Sequence, residues 1–228
     1  MEITDKHSLK EIGQENKILN FINLNTIWWT RNNNSFKQTL SKKYNINFID
    51  SRILSLILRL RQQRGPTFTR EFLFSEKARN KKHFFIGLEE VELKKLSNLV
   101  KIPIKNLRGY EPYYLKQLEF SLNERDKILS KLKKYKPHFV WICIGSPKQE
   151  ILANQLFDKY SAIYLNVGAA LDFILKRKKE APLFMRKIGL EWFYRGITDF
   201  KYSKIKIWRS FIGLGYIINK KIRLKLRA

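Results

Sequence analysis

The first residue placed to do chemistry is Asp50, which directly follows the apolar run Asn45-Ile-Asn-Phe-Ile49. A carboxylate at the end of a core strand rarely stands without a partner or a task. Asp50 can act as a general base, or it can cap a helix beginning at Ser51. Two later apolar runs break at glycine. Residues 139–144 break into Gly145-Ser-Pro-Lys-Gln-Glu150, and residues 162–167 into Gly168-Ala-Ala-Leu-Asp-Phe173. Pro147 suits the first turn of a helix, from which Gln149 can reach a ligand. Glu150 is there a partner for the helix dipole, and Asp172 admits the same two readings. Arg70, taken alone, reads as a surface ion-pair cation, and Glu191 with Trp192 as a contact docking the tail. The chain has neither Gly-x-x-x-x-Gly-Lys-Ser/Thr nor Gly-x-Gly-x-x-Gly, so both nucleotide fingerprints are missing. His7, His83 and His138 are scattered, no Cys/His cluster has zinc spacing, and no Asp-x-Asp pair is present to clamp a metal-bound sugar nucleotide. No metal site is expected. Phosphate chemistry here must use cations and backbone amides.

These residues need a frame that brings them to one edge. β-Branched and aromatic runs that stop at glycine read as buried strands ending in turns. Strands are expected at 17–24, 45–49, 83–86, 100–104, 139–144 and 162–167. Between them the pattern predicts a helix from an N-cap at Thr26 to about Lys43. A second follows with Ile53, Leu54, Ile57, Leu58 and Leu60, as far as Gly65-Pro66. After Thr67-Phe-Thr-Arg70 comes a short helix, and further helices are read at 88–99, 114–135 and 147–160. Residues 109–112 read as a loop. Alternating strands and helices argue for an α/β fold, a Rossmann-like parallel sheet flanked by helices. In such sheets ligands bind at the carboxyl edge of the strands, where Asp50, Gly145 and Gly168 would all stand.

The chain has 228 residues, 44% of them hydrophobic, enough for one α/β domain with a small appendage. We expect a polar lead-in at 1–19, a core at 20–195 and a basic C-terminal appendage at 196–228. The net charge of +26, from 46 Lys and Arg against 20 Asp and Glu, calls for an anionic partner. Cys143 is the single cysteine, so no internal disulfide can form, which fits a reducing compartment. The first twenty residues are charged throughout and show no secretory leader. No apolar run approaches the roughly 18 residues needed to span a bilayer. Residues 200–228 hold nine Lys and Arg and no Asp or Glu, interleaved with Trp208, Phe211 and aliphatic side chains. That mixture predicts an interfacial helix on an anionic membrane, although Gly213 and Gly215 each weaken a continuous helix by about 1 kcal/mol. An exposed apolar tail would also favour a homo-oligomer away from membrane. A nucleic-acid partner would explain the charge as well, but no base-reading motif accompanies it and none is expected.

The motifs Gly145-Ser-Pro-Lys-Gln-Glu150, Val167-Gly-Ala-Ala-Leu-Asp-Phe173, Ala181-Pro182 and Gly189-Leu-Glu-Trp-Phe-Tyr-Arg195 resemble, in order and spacing, those of the WecG/TagA/CpsF family of bacterial glycosyltransferases. Asn25, Asp50, Arg70 and the Phe84-Phe-Ile-Gly87 strand continue the resemblance upstream. It implies an inverting, metal-independent transferase without a cofactor. The sugar, of N-acetylmannosamine type, passes from a UDP-sugar to a polyprenyl-diphosphate-linked sugar acceptor in cell-surface polysaccharide synthesis. The implied location is cytoplasmic, peripheral on the inner face of the bacterial plasma membrane. It further implies Asp50 as general base, with Gln149 and Asn25 holding the donor sugar or nucleotide and Arg70 a phosphate or the acceptor. Lys201, Lys204, Lys206 and Arg209 would offset charge on the leaving diphosphate. Asn23, Gly145, Gly168, Asp172 and Arg195 complete the expected substrate-binding set. The chain departs from the family pattern at Ser51, Ala169 and Glu180, where the family has glycine, glycine and arginine, and at Asp199-Phe-Lys-Tyr202, where it has Glu-Pro-Arg-Arg. The altered 199–202 segment leaves a catalytically inactive membrane-bound partner as the alternative.

Overall fold

The computed structural model describes residues 1, 3, 16–113, 117–198 and 200–225, with the side chains of residues 192, 195–197, 200–203 and 220–225 outside that description. Six strands form one sheet: β1 (Ile18–Ile22), β2 (Asn45–Ile49), β3 (His83–Ile86), β4 (Leu107–Tyr110), β5 (Phe139–Ile142) and β6 (Ile163–Asn166). All pairings are parallel, in the order β2-β1-β6-β5-β3-β4. Parallel neighbours need crossovers, and helices supply them. These are α1 (Leu24–Asn32), α2 (Asn34–Ser41), α3 (Arg52–Leu58), α4 (Gly65–Leu73), α5 (Glu76–Arg79), α6 (Glu90–Val100), α7 (Leu122–Tyr135) and α8 (Lys148–Phe157). Four more follow the last strand: α9 (Ala170–Ile174), α10 (Leu183–Ile188), α11 (Glu191–Thr198) and α12 (Phe200–Lys225).

A parallel sheet is covered on both faces, and alternate side chains along each strand enter different cores. Phe21, Phe85, Trp141 and Leu165 pack with residues of α4, α6 and α9 on one face. Ile18, Phe84, Val140, Ile142 and Tyr164 pack with α7 and α8 on the other. A third core joins Ile22 and Ile49 to Leu24, Ile27, Phe36, Leu40 and Leu54, and Leu214, Tyr216 and Ile217 of α12 pack against it. The C-terminal helix thereby lies along α1. No helix among the described residues is long and apolar enough to cross a membrane.

Several local expectations are corrected. The helix expected from Thr26 to Lys43 is two helices, and its N-cap is Asn23, which forms a reciprocal capping box with Thr26. Asn33 causes the break, because its side chain caps α2 by accepting from Phe36 N–H at 2.8 Å. The helix after Asp50 stops at Leu58, with Arg59 in the left-handed region, and Thr67–Arg70 lie inside α4. Residues 100–104 are not a strand: Val100 closes α6, and the strand begins at Leu107 and runs into Gly109 and Tyr110 of the stretch read as a loop. The helix expected from residue 114 starts at Leu122, where Ser121 caps it; residues 114–116 lie outside the described residues. Helix α12 runs through both Gly213 and Gly215.

Candidate active site

The strand ends bring the expected residues to one edge of the sheet. Along it run Asp50 after β2, Asn23 and Asn25 after β1, Gly168 after β6, and Gly145 with Gln149 after β5. Asp50 and Gly168 stand two strand spacings apart, about 10 Å, which is within the span of a sugar nucleotide.

Asp50 is fixed by its surroundings. Its N–H donates to Ile22 O at 2.9 Å, and its own carbonyl accepts from Gln62 Nε2 at 2.6 Å. One carboxylate oxygen, Oδ1, accepts from Gly65 N–H at 2.8 Å. That amide opens α4, where orphan N–H groups and the helix dipole favour an anion. The N-cap position of α3 is Ser51, whose side chain makes no cap bond. The carboxylate is held in orientation by a backbone amide fifteen residues away.

The turns after β5 and β6 meet. Gly145 and Gly168 have φ of +87° and +54°, which a residue with a Cβ adopts only with strain. A Cβ on Gly168 would lie 3.5 Å from Gln149 Oε1 and 3.9 Å from Gly145 Cα. Gln149 and Glu150 are 5% and 1% exposed. Gln149 Nε2 donates to Glu150 Oε1 at 3.0 Å and to Asn166 O at 3.2 Å. Burial pushes the Glu150 carboxyl up to about 7, against the hydrogen bond from Gln149. Gln149 Oε1 and Asn25 Oδ1 are buried without a hydrogen-bond partner. Buried polar atoms are ordinarily satisfied, so such a group marks a place for a ligand or water.

Beside Asp50, Arg64 precedes the amide that holds its carboxylate. Arg64 donates to both oxygens of Glu191, each at 3.2 Å, and so ties the start of α11 to the start of α4. Gly189, before it, packs on α3: a Cβ there would approach Ile53 Cγ1 to 2.9 Å. The last motif thus docks on the two helices that flank Asp50. Glu180 stands among three guanidinium groups, pairing with Arg70 at 2.5 Å, with Arg186 at 2.5 Å and with Arg64 at 3.7 Å. Burial opposes ionisation, but these arginines hold its carboxyl below the usual range.

Other expected site residues have structural partners. Asn23 Oδ1 accepts from Thr26 N–H at 3.1 Å as a helix cap. Asp172 is engaged by Arg177 and by Lys178 at 3.5 Å. Arg209 lies over the rings of Trp28 and Trp29, 4.4 and 4.7 Å from their centroids, and so is packed on α1. Lys204 and Lys206 are exposed on α12. The side chains of Arg195 and Lys201 lie outside the described residues.

Sequence reasoning missed a row of asparagines beneath the site. Asn166 Nδ2 donates to Asn20 Oδ1 at 2.7 Å, and Asn20 Nδ2 to Asn47 Oδ1 at 3.0 Å, crossing β6, β1 and β2. Asn45 Nδ2 continues the row to Asn154 Oδ1 on α8 at 3.0 Å, and Asn154 Nδ2 returns to Glu150 O at 2.8 Å. The available signal was asparagine inside apolar strand runs, where it is depleted unless it has partners.

The fold and this edge define a class: an α/β protein whose ligand site is built by strand-end turns and lined by a carboxylate, amides and arginines. Residues 3–225 match the model of the Glycosyl transferase WecG/TagA/CpsF family, and the chain belongs to that family. It is similar to proteins of Staphylococcus aureus strains NCTC 8325 / PS 47 and COL, each named N-acetylglucosaminyldiphosphoundecaprenol N-acetyl-beta-D-mannosaminyltransferase. Both are 32% identical over 79 residues, covering 34% of this chain and 31% of theirs. The protein of the same name from strain MRSA252 is 30% identical over the same shares. The chain thus matches about a third of the length of these relatives.

Proposed function

We propose that the protein transfers a sugar of N-acetylmannosamine type from a UDP donor to N-acetylglucosamine carried on a polyprenyl diphosphate, with inversion and without a metal ion. The observation that carries this reading is the row of Asp50, Asn25, Gly168 and Gln149 along the carboxyl edge of a chain belonging to this family. The names of the staphylococcal relatives support the sugar and the lipid-linked acceptor. In the proposed reaction Asp50 takes the proton from the acceptor hydroxyl as that oxygen attacks the anomeric carbon and UDP departs. Gly65 N–H keeps the carboxylate aimed. Arginines and backbone amides meet the charge of the departing diphosphate, because electrostatic stabilisation must come from the protein. The basic α12, with Trp208 and Phe211 exposed, supports work at an anionic membrane surface, placed on the cytoplasmic face where lipid-linked precursors are glycosylated.

The test is acceptor-dependent UDP release from a panel of UDP-sugars in EDTA, using a short-chain polyprenyl-diphosphate N-acetylglucosamine. Asp50→Asn should fold and lose at least about a hundredfold in turnover. Near-normal turnover in that variant removes Asp50 from the base role. Activity that EDTA abolishes and magnesium restores removes the metal-free mechanism. A second reading, a partner protein without turnover, rests on Glu180, which occupies Arg70, the proposed phosphate cation. Silence of the folded protein across the whole panel would favour it.

A further inference from the structure

Gln149 has two polar atoms, and the structure commits one of them. The amide nitrogen carries two hydrogens, and both are taken, by Glu150 Oε1 at 3.0 Å and by the Asn166 carbonyl at 3.2 Å. Rotating the amide by half a turn would set Oε1 against the Asn166 carbonyl, which can only accept, so the nitrogen must face it. Oε1 is consequently turned toward Gly168, at 3.5 Å from the position of an added Cβ, and it is buried without a partner. An oxygen in that state can only accept. The backbone carbonyl of Glu150 accepts from Asn154 of the asparagine row at 2.8 Å, and the Asn166 carbonyl that takes the second hydrogen belongs to β6. The orientation of Gln149 is therefore inherited from the sheet rather than chosen by the ligand.

We infer that Glu150 is a positioning residue that fixes the Gln149 amide so that only its carbonyl oxygen faces the donor site. The group bound there is accordingly a neutral hydrogen-bond donor, a sugar O–H or N–H or the imide N–H of the base, and not a phosphate oxygen. This rests on the transferase reading above and adds to it the polarity of one subsite. Two acceptor oxygens cannot share a hydrogen bond, so phosphate must be held elsewhere along the edge.

The experiment is calorimetric binding of UDP-sugar, UDP and inorganic pyrophosphate to the full chain and three variants. Glu150→Leu removes the acceptor that holds Gln149 and should weaken UDP-sugar about tenfold, the value of one buried neutral hydrogen bond. Pyrophosphate affinity should stay unchanged. Glu150→Gln keeps an acceptor oxygen in place and should restore binding to within about threefold of wild type. Should Glu150→Leu fail to fold, Gln149→Met, which removes the carbonyl oxygen and leaves Glu150 alone, must show the same tenfold selective loss. An equal loss for UDP assigns the contact to the uridine, its base or its ribose, and a loss confined to UDP-sugar assigns it to the transferred sugar. Unchanged UDP-sugar binding in Glu150→Leu or Gln149→Met overturns the inference, as does equal weakening of pyrophosphate or a failure of Glu150→Gln to rescue. A wild-type chain that binds no UDP-sugar overturns the transferase reading instead.

Discussion

Glu150 carries a second consequence that is independent of any ligand. Its carboxyl is pushed up to about 7 by burial, from an ordinary value of 4.5. Between those values the folded chain keeps a proton that the unfolded chain has released. Stability must therefore fall as pH rises through that window and level off above it. At about 1.4 kcal/mol per pH unit the total is about 3 kcal/mol. Glu150→Gln stays neutral throughout and should match wild type near pH 4.5, then exceed it by about that amount at pH 8. Urea midpoints across this range read the difference directly, and parallel curves for the two proteins would show that the carboxyl ionises at its ordinary value. A site residue that weakens the fold at neutral pH suggests retention for another task. Holding the Gln149 amide is such a task.

Among the elements, α12 depends on one glycine. A Cβ on Gly213 would come within 2.4 Å of Leu24 O and 3.4 Å of Trp28 N, so α12 crosses α1 almost backbone to backbone. Arg209, one turn earlier, lies on Trp28 and Trp29, and Tyr216 receives Arg31 at 5.0 Å over its ring. Gly215 is exposed with nothing within 4 Å of an added Cβ. The same substitution should thus have opposite signs at the two positions. Gly213→Ala should destabilise by about 1–3 kcal/mol through overpacking. Gly215→Ala should stabilise by up to about 1 kcal/mol through helix propensity. Thermal unfolding of the two variants decides it, and equal shifts would mean that α12 does not pack on α1 in solution. From sequence both glycines read only as weak points in a helix. The reason is general: period and punctuation report a segment's own preferences, so the five strands flanked by glycine, asparagine or aspartate were legible. The strand at Leu107–Tyr110 carries Arg108 and Gly109 and was not legible, its second half reading as a loop, because pairing with β3 decides it. The same holds at the site. Asp50, Gly145, Gln149 and Gly168 announce themselves by following apolar runs. The Gly65 amide, the Arg64–Glu191 pair and the asparagine row exist only once distant segments meet.

Taken as a whole, the molecule combines a charge of +26 with apolar side chains left in water at its C-terminal end. Leu183, Phe184 and Ile188 on α10, Phe193 on α11, and Ile205, Trp208 and Phe211 on α12 are all exposed. Scattered exposed apolar residues are normal, but three successive helices that each present them beside lysine and arginine form a surface suited to an anionic interface. The two contributions differ in range. Charge acts over a Debye length, about 10 Å at 0.1 M salt, and is screened; apolar insertion acts only on contact and is not. Each basic residue near the surface contributes about 1 kcal/mol. Sedimentation with vesicles should separate them. Binding to vesicles containing phosphatidylglycerol should fall at least about tenfold between low salt and about 0.5 M, the equivalent of one or two such residues. Vesicles of phosphatidylcholine alone should bind weakly at both. Trp208→Ser combined with Phe211→Ser should weaken binding by a similar factor at either salt concentration, because the lost term is burial of apolar area. Equal binding to neutral and anionic vesicles, insensitive to salt, would remove the membrane from the explanation of the charge. The surplus would then have to serve the phosphates of the substrates, and the exposed apolar side chains would point to a second copy of the chain.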